Sequence, residues 1–235
     1  MKNEGINVEN LIHVQRSKLP ARSAKNLKIS LVNTCSIRNK TTDISEYVVN
    51  SNIDVCLMTE TWLKSRDAVI RAELKPTGYN FKDSPRPSGR VGGGVGIMFK
   101  SGIKCKLLSS GALKSMEYAN YELLFEKSKL DVHVIYRPPY SSKLRVTTGT
   151  FFEEFQTYLS GAVQSPYSLL ITGDFNIHVN DDNNSDHIRL RNLFCMYDLV
   201  QHVHVPTHKS GNTLDLIVTR SNDELLLSDP VADYM

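Results

Sequence analysis

The chain has 235 residues, 40% of them hydrophobic and 23% charged, with a formal net charge of +3. That is the make-up of one ordinary globular domain with room for a sizeable core, mildly basic, so that polyanion binding is permitted but not demanded. No apolar stretch approaches the roughly 20 residues of a membrane span, so no transmembrane helix is expected within these residues.

The first 26 residues are polar, basic and without clear periodicity, and read as a loose N-terminal arm. They contain no apolar core of the signal-peptide kind. Leu27 to Val32 reads as a buried strand ending at Asn33. Residues 41–51 carry Ile44, Tyr47 and Val48 at helical spacing, with Thr or Asp expected as the N-cap. Ile53 to Met58 is a second buried strand, and Glu60 follows it. Strand, helix, strand points to an α/β fold. Residues 83–94 are rich in loop formers and lead into a strand from Val95 to Phe99.

Met116 to Phe125 and Leu130 to Tyr136 read as strands joined by a charged turn, broken by Arg137-Pro138-Pro139. Phe151 to Val163 has the 3.6-residue periodicity of a helix packed on a sheet. A strand at residues 168–172, a helix at about 187–199 and a last clear strand from Leu214 to Val218 complete the succession. Cys35, Cys56, Cys105 and Cys195 are scattered, with no CxxC. Three of them fall in apolar or helical patterns, so buried free thiols, a reducing intracellular compartment and no structural zinc are expected.

Several tempting motifs carry less than they suggest. The glycines from Gly89 to Gly96 precede a strand rather than a helix and lack Gly-Lys-Ser/Thr, so close strand packing fits better than a phosphate loop. Ser185-Asp186-His187 opens a helix, where capping explains Ser or Asp better than catalysis does. His202, His204 and His208 have no Cys or carboxylate at matching spacing. Asp181-Asp182 lacks the glycine and terminal glutamate of a calcium loop.

Gly173-Asp174-Phe175-Asn176, straight after an apolar run, is the most informative stretch. Strand ends are where α/β proteins place chemistry, on a rigid sheet beside an open loop. Asp174 and Asn176 are two residues apart and would point the same way in extended chain. A carboxylate beside an amide suits activation of water near an anionic substrate. The plainer alternative is that Asp and Asn simply open a turn.

The stretches LVNTCSIRNK, IDVCLMTETWL, GGGVGIMF, VIYRPPY, LLITGDFNIH and VPTHKSGNTLDLIVT occur in that order over residues 31–219. In this the chain resembles the endonuclease/exonuclease/phosphatase superfamily, and within it the apurinic-type endonuclease domains of jockey-like non-LTR retrotransposons. The resemblance implies a DNase I-like α/β fold, a four-layer sandwich of two β-sheets flanked by helices. It implies a DNA partner and hydrolysis of a phosphodiester. Glu60 would hold one Mg²⁺, with Asn33 near the same site. Asp174 would orient or deprotonate the attacking water, Asn176 would contact the phosphate and Tyr136 would stabilise charge there. Thr207 and Arg137 would meet substrate, and Asp215 would orient a catalytic histidine.

That histidine belongs to a Ser-Asp-His strand in the family pattern, and here Ser228-Asp229 is followed by Pro230. The expectation is therefore a domain over residues 27–235 that lacks its last strand, with impaired activity and Asp215 facing an open cleft. The leading function is a DNA-nicking endonuclease, acting in the nucleus if functional. A non-catalytic nucleic-acid-binding remnant, using Arg16, Lys18, Arg22, Lys25 and Lys28, is the alternative. A phosphatase of the same superfamily is a weaker one.

Overall fold

The computed structural model describes residues 11–15, 26–87, 92–140 and 145–233. In chain order the elements are β1 (Leu11–Gln15), β2 (Lys28–Asn33), α1 (Thr41–Asn50), β3 (Val55–Thr59), α2 (Ala68–Leu74), β4 (Tyr79–Ser84), β5 (Val95–Lys100), β6 (Lys104–Ala112), β7 (Glu117–Phe125), β8 (Ser128–Tyr136), α3 (Thr148–Ala162), β9 (Ser168–Asp174), α4 (Ser185–Met196), β10 (Leu199–Gln201), β11 (Asp215–Arg220) and β12 (Val231–Asp233).

They build two sheets, ordered β12-β1-β2-β3-β5-β4 and β10-β11-β9-β8-β7-β6. Leu31, Leu57, Ile97, Tyr121, Val132, Val134, Leu170 and Ile217 fill the space between the sheets. The outer face of the first sheet buries Val32, Met58 and Met98 against Ile44, Val48 and Leu74 of α1 and α2. On the second sheet, Ile135, Ile171 and Val218 meet Phe151, Phe155, Leu159 and Phe194 of α3 and α4. Two sheets flanked by helices are the α/β four-layer sandwich expected. Covered on both faces, β3 is apolar without alternation, which is why VCLMT reads as a continuous run. Phe151, Phe155 and Leu159 lie four residues apart and stripe one face of α3. The fully buried Phe155 ring stacks on Phe151, and truncating it to alanine would cost about 3–5 kcal/mol.

Two parallel pairs bring the chemistry to one end. β2 runs beside β3 with Asn33 opposite Thr59, and β8 beside β9 with Tyr136 opposite Asp174. β11 runs antiparallel to β9, so its first residue, Asp215, faces the last residue of β9, Asp174.

The structure adds elements where the pattern is weak. β1 falls inside the segment expected as a loose arm, and β12 inside the tail expected to precede a missing strand. The two pair with each other at the edge of the first sheet. Edge strand β6 is mostly exposed, so its sequence has no buried face to advertise it. α2 has seven residues and buries Leu74, too short for periodicity to register. α1 is entered at Lys40 with no side-chain cap, rather than at Thr or Asp. The cap of α4 is Asn184, whose carboxamide oxygen accepts from the amides of Asp186 and His187, so Ser185 and Asp186 lie inside the first turn. Of the cysteines only Cys56 is buried; Cys105 is half-buried and Cys35 and Cys195 are exposed, because surface helices and edge strands also carry apolar spacing. Arg16, Lys18, Arg22 and Lys25 of the basic arm and residues 89–91 of the glycine run lie outside the described residues, while the Lys28 ammonium is engaged by the Ser51 carbonyl at 2.9 Å. No helix among the described residues is long and apolar enough to cross a membrane.

Candidate active site

The site grows from the two parallel strand ends. Beyond β3 the backbone turns sharply, with Glu60 at φ +53° and Trp62 at φ +52°. Non-glycine residues in this left-handed region persist where surrounding structure over-determines them. Here the Glu60 carbonyl accepts from the Ser36 amide at 2.9 Å and lies 2.9 Å from the Thr34 hydroxyl. The turn aims the Glu60 carboxylate across the gap between the sheets. Its Oε1 accepts from Asn33 Nδ2 at 3.0 Å, and its Oε2 from the Trp62 indole Nε1 at 3.1 Å.

The same Asn33 Nδ2 donates to Asp174 Oδ2 at 2.9 Å, so one amide nitrogen bridges carboxylates from different sheets. The other Asp174 oxygen accepts from the backbone amide of Asn176 at 2.9 Å, closing a turn with Asn176 at φ +47°. Just before it, Gly173 has φ +141°, and a Cβ there would collide with the Ile135 carbonyl. The glycine of the motif is thus required by the close approach of β8 and β9. Burial is the main force pushing the Asp174 carboxyl from 3.8 up to about 7, and the charge of Glu60 adds to it; the Asn33 and Asn176 donors oppose it. Tyr136 is pushed above the ordinary phenol range by burial first, then by the Glu60 and Asp174 charges.

Asn33, Glu60, Tyr136, Asp174, Asn176 and Asp215 are therefore brought together at one end of the sandwich. Asp215 departs from expectation: it does not face an open cleft but is 0% exposed, and neither carboxylate oxygen has a hydrogen-bond partner among the described residues. Burial and then the Asp174 charge hold its carboxyl well above the usual range; the Thr207 hydroxyl, near enough to offset part of this, does not reach hydrogen-bond geometry with either oxygen.

Three residues expected to contact substrate also make hydrogen bonds within the fold. Thr207 is fully buried, and its hydroxyl accepts from the amides of Leu214 and Asp215 at 2.9 and 3.1 Å, fixing the entry to β11. The Arg137 guanidinium donates to the carbonyls of Phe175 and Asn176 and to Thr148, and lies 5.0 Å over the Phe151 ring. Asn176 Nδ2 returns a bond to the Arg137 carbonyl at 2.8 Å. Arg137 and Asn176 thus clasp the turn that carries Asp174. Trp62, within the TETWL stretch but given no role there, proves to be the partner of Glu60. Only its being the chain's single tryptophan, two residues past the glutamate, could have drawn notice.

Among the described residues no set of three or more His, Cys, Asp or Glu is placed to hold a metal ion. A hydrated Mg²⁺ needs only one or two carboxylates, the rest of its octahedron being water and phosphate oxygen. Glu60 and Asp174 converge on one amide, and the Glu60 charge adds to the cost of ionising Asp174, so the carboxylates present fit such a cation.

A family model for the endonuclease/exonuclease/phosphatase family matches residues 31–234. The chain belongs to that family. The family's activities are those of nucleases, phosphodiesterases and phosphatases, generally dependent on a divalent metal. Among solved structures, the AP endonuclease LMAP from Leishmania major is similar with TM-score 0.64 at 15% identity, over 94% of this chain and 87% of that one. The endonuclease domain of TRAS1, a telomere-specific non-LTR retrotransposon, matches with TM-score 0.54 at 9% identity over 83% and 86%. D. rerio TDP2 complexed with single-strand DNA product matches with TM-score 0.54 at 14% over 79% and 78%. At such identities these likenesses establish the fold of this family member. Among curated proteins none matches the chain in sequence.

Proposed function

We propose that this family member is a Mg²⁺-dependent endonuclease domain of retrotransposon type that nicks DNA. The observation that carries the reading is the Asp174 carboxylate. It is fixed on both oxygens by Asn33 and the Asn176 amide, beside Glu60 and Tyr136, at one end of the two-sheet scaffold. The fold likeness to the TRAS1 endonuclease domain and to TDP2 with its DNA product supports a DNA substrate.

Glu60, oriented by Trp62, would hold the Mg²⁺, and Asn33 would join it only by turning its carboxamide so that the oxygen, not the nitrogen, met the ion. The ion would lend positive charge to the scissile phosphate and to the leaving oxygen. Asp174, with a proton affinity raised toward neutrality, is suited to orient the attacking water and take its proton. Tyr136, kept protonated by its surroundings, supplies a hydroxyl donor for the charge that builds on the phosphate oxygens. Arg137 and Asn176 hold the Asp174 turn at its working angle, and Thr207 holds Asp215. Turnover is expected to be slow, because the Asp215 carboxylate finds no donor among the described residues and concerted sets lose much when one link is open. The reading places the site of action with DNA, in the nucleus.

The experiment is relaxation of supercoiled plasmid with Mg²⁺ and with EDTA, for the parent chain and Asp174→Ala. Mg²⁺-dependent nicking that the variant loses is expected. Salt-sensitive DNA binding with no metal-dependent nicking would replace the reading by the non-catalytic one. Turnover of a phosphate monoester in preference to plasmid would replace it by the phosphatase.

A further inference from the structure

The outer side of Tyr136 is held by a buried ion pair that the chemistry above does not use. Glu117 opens β7 directly opposite Tyr136 in the β7–β8 register, so the two side chains leave the same face, toward the first sheet. Arg86, two residues beyond β4 of that sheet, reaches back and donates from Nε to Glu117 Oε1. Both side chains are almost shut from water, at 8% and 7% exposure. The guanidinium also lies 5.7 Å from the centre of the Tyr136 ring, within reach of a cation–π attraction.

The pair is continuous with the glycine strap that precedes β5. The second Glu117 oxygen accepts from the Gly94 amide at 2.5 Å. Gly93, at φ +72°, has the Arg86 guanidinium where a Cβ would stand, so a side chain there would expel it. The strap's carbonyls in turn hold the turn after β3: Gly93 accepts from the Trp62 amide at 2.8 Å and Gly94 from the Thr61 amide at 3.2 Å. The Trp62 indole packs on Gly92, 3.3 Å from where its Cβ would be, and donates to Glu60. One end of this assembly touches Tyr136 on the second sheet and the other sets Glu60 on the first.

We infer that Arg86 and Glu117 are positioning residues: their buried ion pair, acting through the Gly92–Gly94 strap, fixes Tyr136 and the Trp62–Glu60 pair relative to each other across the two sheets. The two groups come from different sheets, so packing within either sheet cannot set the distance between them. Catalytic constellations tolerate only about 0.5 Å of misplacement. The consequence for nicking rests on the nuclease reading; the coupling of Arg86 to Trp62 does not.

The test compares the parent chain with Arg86→Lys and with the double variant Arg86→Met/Glu117→Gln, which leaves no uncompensated buried charge. Urea unfolding establishes that each is folded. Trp62, the only tryptophan in the sequence, then reports on the strap through its emission maximum and acrylamide quenching. In the double variant a red shift and stronger quenching are expected, with kcat for plasmid nicking down roughly 10- to 100-fold and KM little changed, the size of losing a supporting shell. Arg86→Lys, which keeps the charge but not the fork, should fall between. Parent-like emission and quenching in the folded variants overturn the inference. So does unchanged kcat per folded molecule where the parent nicks, which is the signature of a purely structural pair. A parent that never nicks, with the Trp62 shift present in the variants, refutes the nuclease reading and leaves the coupling standing. Should the double variant not fold, Arg86→Lys decides by the same two readouts.

Discussion

Replacing Asp215 by asparagine should stabilise the metal-free protein at neutral pH and do nothing for it in acid. Asp215 is fully buried with both oxygens unpartnered, and burial together with Asp174 holds its carboxyl well above 3.8. The folded state therefore binds this proton more tightly than the unfolded state does. Stability from the neutral carboxyl is fully present below the unfolded value, near pH 4, and is lost as pH rises toward the folded one. The loss runs at about 1.4 kcal/mol per pH unit for one group. The asparagine amide is itself buried without a known partner and costs about 1 kcal/mol at every pH. The net expectation is a variant equal to or slightly weaker than the parent near pH 5 and gaining on it steadily as pH rises toward 8. Urea unfolding in EDTA, followed by far-ultraviolet circular dichroism across that range, measures it. A stability difference that stays constant with pH would refute the reasoning, because it would mean that Asp215 carries no shifted proton.

Glu60→Gln should abolish the weak Mg²⁺ binding expected for the parent in titration calorimetry, since it removes the one carboxylate that leans on both Trp62 and Asn33; unchanged binding would remove Glu60 from the metal site. Trp62→Phe keeps the ring on Gly92 but frees Glu60 Oε2, and should weaken Mg²⁺ roughly 10-fold in the same titration while leaving the urea midpoint nearly unchanged. Gly173→Ala places a Cβ against the Ile135 carbonyl at a φ few side chains adopt, and should cost about 3 kcal/mol or more in urea unfolding, with loss of nicking.

Local sequence determined the double-covered strands, the striped helix α3 and the order in which Asn33, Glu60, Tyr136, Asp174 and Asp215 close or open their strands, because burial on two faces and 3.6-residue spacing leave marks that need no partner to be read. It determined Gly173-Asp174-Phe175-Asn176 as a strand end, and the ordered motifs carried the family; that the chain turns there, with Asn176 at φ +47° rather than extended beside Asp174, was decided by the fold. Tertiary structure alone decided what those polar groups do. Asn33 and Asp174 are 141 residues apart and share a hydrogen bond only because two parallel strand pairs end together. The bonds of Thr207 and Arg137 to backbone groups appear only in the fold, and Asp215 read as facing an open cleft until β9 and β11 closed around it. Trp62, Arg86 and Glu117 were silent, since an indole or an ion pair gains its meaning from a partner across the sheets. Hydrogen bonds and charges act over a few ångströms of space, whereas the periodicity that can be read from a sequence acts over a few residues of chain.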